Sequence, residues 1–146
     1  MDKKEAAEQL ASCQIKIKEY TEEYIKLCEK TFGKEKTAER LKLLENMDQE
    51  ELNNLSQRSM DFTQSLIKAI NCNLAEDSPE VQRLIFEHLE ICSRFAPMTK
   101  KDYQLSMKCL CKESDFYSGY QKMCPRLPEF LHKAMEIFLK NDMKAL

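Results

Sequence analysis

From Lys3 to Phe32 apolar positions return at Ala6, Leu10, Cys13, Ile17, Tyr20, Tyr24 and Leu27, at alternating spacings of four and three. That is the seam of a heptad, and it predicts one long helix whose other faces carry Lys3, Lys4, Glu5, Glu8, Lys16, Lys18, Glu22 and Glu23. Gly33 suits the left-handed residue that closes a helix. A second helix is expected over about Glu35 to Asn46, with Ala38, Leu41 and Leu44 inward. Asp48, with Glu51 three residues on, reads as an N-cap and its capping-box partner. The helix it opens carries Leu52, Leu55, Phe62, Leu66 and Ile70 on one stripe.

Ser78-Pro79-Glu80 combines an N-cap, a proline at the first helical position and an acid at the positive end of the helix dipole. The helix it starts buries Val81, Leu84, Ile85, His88, Ile91, Cys92 and Phe95 and stops at Pro97. Thr99 with Asp102 starts a fifth, with Tyr103, Met107 and Leu110 inward. Ser114-Asp115 opens a short aromatic segment, and a last helix from about Pro128 to Lys140 follows, burying Phe130, Leu131, Ala134, Ile137 and Phe138 behind Leu127. The pattern predicts an all-α domain of six to seven helices, split into a heptad-patterned segment, 1–23, continuous with a domain over 24–146.

Composition narrows the function. Gly and Pro total only six of 146 residues, too few for hairpins or for glycine-rich phosphate loops. Twenty-three Lys and Arg against 25 Asp and Glu leave a net charge of −2, without the basic excess that direct nucleic-acid binding uses. No apolar run reaches the roughly 20 residues of a membrane span, and Met1-Asp2-Lys3-Lys4-Glu5 does not open a signal peptide. The expectation is a soluble, cytoplasmic protein. Its seven scattered cysteines read as free thiols, with Cys109 and Cys111 one buried and one exposed.

His88 and Cys92 lie four apart on one helix face, a spacing that can seat two soft ligands on one metal, but no CxxC pair or second histidine at ligand spacing joins them. A core histidine beside a buried thiol is the reading adopted, with no metal and no cofactor. His88 and His132 offer no nucleophile, base and orienting group in sequence, so no enzyme is expected. Phe95, Met98, Tyr103, Met107, Phe116, Tyr117, Tyr120 and Met123 crowd around two helix breaks. Periodicity leaves two readings of them open: ordinary core, or the adaptable lining of a cleft for apolar ligands.

The order of several short features then suggests a family. Tyr24 to Phe32-Gly33, Asp48-Gln49-Glu50-Glu51 opening a long helix, Leu66-Ile67-Lys68-Ala69-Ile70, Asp77-Ser78 and His88 ten residues after that serine run in one direction. Phe116 with Pro125 nine residues on, then Leu127, Phe130 and Ala134, closes the series. Over about residues 24–140 the chain resembles the TipAS domain, the antibiotic-recognition domain of MerR-type transcriptional activators. It departs from the family pattern at Ser106-Met107, Leu110, Glu113 and Arg126, so the fifth helix diverges.

The resemblance implies a globin-like, all-helical domain that binds an apolar small molecule, such as a peptide-type or macrocyclic antibiotic. Ligand-binding residues are then expected at His88, Phe95, Met98, Tyr103, Met107, Phe116 and Tyr120. It also implies ligand sensing or sequestration tied to MerR-type regulation of drug resistance, with a homodimer formed through the first helix. The competing expectation is a helical protein-interaction or dimerisation module without a small-molecule ligand.

Overall fold

The computed structural model describes residues 22–141 apart from 96, 97, 113, 115 and 116. These residues form seven α-helices and one 3-10 turn, and no strand is found among them. The helices are α1 (Glu22–Phe32), α2 (Lys34–Glu45), α3 (Gln49–Asn71), α4 (Pro79–Phe95), α5 (Lys100–Ser106), α6 (Tyr117–Met123) and α7 (Leu127–Asn141); the 3-10 turn, Met107–Leu110, follows α5. The all-α expectation holds. The seam residues Ala6, Leu10, Cys13, Ile17 and Tyr20 lie outside the described residues, as do the side chains of Tyr24 and Leu27.

The chain falls into two compact units, 1–61 and 62–146, which share α3. In the first, α1 packs on α2 across Gly33, whose φ of 91° lies in the left-handed region that glycine enters without steric cost. Gly33 N–H donates to Glu29 O, and its carbonyl accepts from both the N–H and the hydroxyl of Thr37. Those two hydrogen bonds fix the phase of α2. Thr37 and Leu44 are buried, Leu41 is half-buried and Ala38 is exposed, so the inward seam runs through Thr37 where the sequence pattern placed Ala38. Asp48 caps α3 as expected, its carboxylate accepting from Glu51 N–H at 2.8 Å.

The second unit holds the large core. Phe62, Leu66, Ala69 and Ile70 of α3 join Val81, Ile85, Leu89 and Ile91 of α4, Tyr103, Met107 and Leu110, and the inner face of α7 in one cluster. α3 ends in a Schellman motif: Leu74 N–H reaches Ala69 O, Asn73 N–H reaches Ile70 O, and Asn73 takes a φ of 58°. Leu74 then packs against the core. Ser78 caps α4, accepting from Val81 N–H, and Thr99 with Asp102 forms a reciprocal capping box on α5. The last helix begins one residue ahead of the expected Pro128 and ends one beyond Lys140.

The fifth helix is shorter than its pattern. Met107 N–H bonds back to Gln104 O, three residues away, and the chain tightens into the 3-10 turn before leaving helical geometry at Cys111. Tyr103, Met107 and Leu110 still point inward. The reading of Cys109 and Cys111 as one buried and one exposed thiol does not hold, because it assumed a continuous α-helix; both are half-buried.

Candidate functional site

The chemistry of the second unit gathers around His88. Ser78 and Pro79 set the phase of α4, and nine residues beyond its first position the imidazole meets three neighbours. Phe62 of α3 stacks on it, with ring centroids 4.8 Å apart and planes 22° from parallel. Tyr103 of α5 places its hydroxyl 2.8 Å from Nδ1. Cys92, one turn further along α4, brings Sγ to 3.6 Å from Nε2. Beyond Tyr103 stands Phe138 of α7, edge-on at 6.4 Å, and Phe138 in turn faces Phe86 at 6.5 Å.

Two consequences follow from this enclosure. Burial makes the charged imidazolium costly and lowers the His88 pKa to about 4, so the ring is neutral at pH 7. Burial, followed by the neighbouring Cys92, pushes the Tyr103 hydroxyl far above its ordinary range, so it is a fixed neutral hydrogen-bonding group. His88 thus has the hydrogen-bond partner that a histidine inside an apolar stripe requires. The result is a short polar series, hydroxyl to imidazole to thiol, set in an aromatic and aliphatic wall.

The expected ligand residues divide. His88, Tyr103 and Met107 meet in or against the same core, with Tyr103 fully buried; Met98 and Tyr120 are half-buried and pack against it. The side chains of Phe95 and Phe116 lie outside the described residues. Sequence reasoning read Phe62 and Phe138 only as core, although the first stacks on His88 and the second stands edge-on to Tyr103; nothing in a single apolar stripe distinguishes a ring that faces a histidine from one that faces a leucine. It also missed Gln82, whose amide Nε2 donates to Glu76 O at 2.8 Å and to Ala134 O at 3.1 Å, tying the start of α4 to α7.

On the outer side of the unit, Tyr117 donates to Glu129 at 3.2 Å and links α6 to the first turn of α7. His132 lies near Glu136 on the exposed face of α7, remote in chemistry from the enclosed His88. Among the described residues no group of three or more His, Cys, Asp or Glu side chains is placed to hold a metal ion. None of the described helices is long and apolar enough to cross a membrane.

No curated protein and no solved structure matched the chain. The family model for the TipAS antibiotic-recognition domain matches residues 20–138, which takes in every described helix from α1 into α7, the His88 cluster and the divergent stretch after α5. That family is defined by recognition of antibiotics and not by a catalytic step. By a match over most of its length, this chain belongs to the TipAS antibiotic-recognition domain family.

Proposed function

We propose that the chain recognises an apolar small molecule, a peptide-type or macrocyclic antibiotic, through the Met and aromatic wall of its second unit, with residues 24–146 as the binding domain. The family match over residues 20–138 carries this reading. The chemistry around His88 supports it. A neutral imidazole, a neutral phenol and a thiol lie together beside Phe62, and Met107 belongs to the same core, with Met98 and Tyr120 packed against that core, which offers a few directional polar groups within adaptable apolar surface. Phe95 and Phe116 complete the proposed ligand set, and no metal or cofactor takes part in it.

Recognition of this kind serves ligand sensing or sequestration in the cytoplasm, linked to MerR-type transcriptional control of drug resistance. The near-neutral charge assigns no direct nucleic-acid contact to this chain. Residues 1–23 act as a dimerisation helix: the heptad seam from Ala6 to Leu27 calls for a partner helix. Sedimentation of the full chain against one beginning at Glu22 tests that part, and a monomer in both cases ends it.

The binding test is thermal unfolding against a panel of macrocyclic and peptide antibiotics. A compound present at a hundred times its Kd adds about 2.7 kcal/mol of stability. Met107→Gln is expected to weaken that binding by more than it lowers the stability of the free protein. A panel without a shift, together with equal stability losses at Met98, Met107 and Tyr120, would favour a helical interaction module whose aromatic residues are core alone.

A further inference from the structure

Charge is spread unevenly along the chain. Residues 100–126 hold Lys100, Lys101, Lys108, Lys112, Lys122 and Arg126 against Asp102, Glu113 and Asp115, so this stretch carries +3 in a chain of net charge −2 and the remainder carries −5. All six cations are exposed, and none forms an ion pair with a described residue. Two acids on the same elements are already engaged: Asp102 accepts from the N–H and the hydroxyl of Thr99, and Glu129 accepts from Tyr117. The fold then collects the charges. The 3-10 turn packs on α6 and α7, and α6 packs on α7, so Lys108, Lys112, Lys122 and Arg126 lie on or beside three elements in mutual contact. Met107 and Leu110 turn inward, and Tyr120 and Cys124 pack on the core. Met123, flanked in sequence by Lys122 and Arg126, is instead 41% exposed.

We propose that this basic face docks an acidic peptide segment of another protein, one that brings an apolar side chain to Met123. Two features select that occupant. Screening at physiological salt confines attraction between exposed charges to about 8 Å, so a short acidic segment feels the +3 stretch alone, whereas a long polyanion also meets the −5 remainder. A methionine exposed among cations offers an adaptable apolar contact, which a peptide side chain fills and a phosphate backbone does not use. The cations steer the segment and set its register, and burial of Met123 slows its release. α6 thus serves two faces, with Tyr120 turned to the core and Met123 to the partner.

The test is fluorescence anisotropy of the full chain with a fluorescein-labelled, glutamate-rich peptide carrying leucines one helical turn apart. Saturable binding that weakens as salt is raised is expected. The double change Lys122→Glu with Arg126→Glu raises Kd about tenfold or more, while Lys26→Glu with Lys30→Glu, the same charge change on exposed positions of α1, leaves it within about twofold. Met123→Ser, which alters no charge, raises Kd about fivefold. Far-UV circular dichroism shows retained helix in each variant. No saturable binding to the folded wild-type chain, or equal losses in the two double variants, overturns the proposal. So does tighter binding of a single-stranded oligonucleotide that Met123→Ser leaves unchanged, which would make the face a nucleic-acid contact. Because no antibiotic enters the assay, its outcome is independent of the recognition reading.

Discussion

Up to Asp61, Thr37 bonds to Gly33, Glu51 to Asp48, Gln49 to Asn53 and Gln57 to Asp61, each within about one helical turn. Beyond Phe62, beside local bonds such as Thr99 to Asp102, others reach across the fold: Gln82 to Ala134, His88 to Tyr103, Tyr117 to Glu129. The first kind sets where a helix begins and which face it turns inward. The second fixes how helices stand against one another, because a buried polar pair is satisfied in one arrangement and costly in others. A shaped recognition surface needs the second kind, and the aromatic pairs Phe62–His88 and Tyr103–Phe138 occur in the same unit.

The contrast is broken most severely at Phe138, which is buried and edge-on to Tyr103. Phe138→Ala is expected to cost about 3–5 kcal/mol in urea unfolding. Leu43, exposed on α2, sets the opposite limit: Leu43→Ala stays within about 0.5 kcal/mol. Comparable losses at the two positions would remove the distinction. Next in size is acid. His88 has a folded pKa of about 4 against 6.5 unfolded, so between those values the unfolded chain binds the proton and the folded chain does not. Stability therefore falls as pH drops through this window, by about 3 kcal/mol in full, and is unaffected by this group above it. His88→Gln should flatten that part of the pH profile; an unchanged slope would place its origin elsewhere.

Tyr103→Phe leaves His88 Nδ1 without its partner at nearly constant volume, and about 1–3 kcal/mol is expected to be lost by urea unfolding. The smallest effects should be alike in both units, since caps are local wherever they occur. Ser78→Ala and Asp48→Ala are each expected to cost about 1 kcal/mol in thermal unfolding. A cap worth much more in one unit would show that it carries tertiary as well as local bonds.

The same division explains what could be read without coordinates. Asp48, Ser78-Pro79 and Thr99 announce helices because capping involves residues three or four apart, and α3, α4 and α5 begin within a residue of those signals. The stripe Leu52, Leu55, Phe62, Leu66, Ile70 is buried throughout for the same reason. The end of α5 was not legible: its apolar spacing runs on to Leu110, and the tightening at Met107 comes from backbone bonds that leave the inward positions unchanged. Thr37 replaced Ala38 because a hydroxyl returned to Gly33 O can be buried, which hydropathy alone does not register. The importance of His88 was visible as an interruption of an apolar stripe. Its partners were not, since Phe62 and Tyr103 lie 26 and 15 residues away, and only folding brings those rings together.

Methyl-detected NMR of the methionine-labelled full chain, titrated with macrocyclic peptide antibiotics, examines recognition where it should occur. Met98 and Met107 belong to the second unit's core region, while Met47 lies half-buried in the first unit. A binding compound should move the Met98 and Met107 methyl resonances in a saturable manner and leave Met47 in place, and Met107→Gln should weaken the response at Met98. Saturable shifts confined to Met47, or a panel that moves no methyl while the protein remains folded, would contradict recognition at the His88–Tyr103 wall.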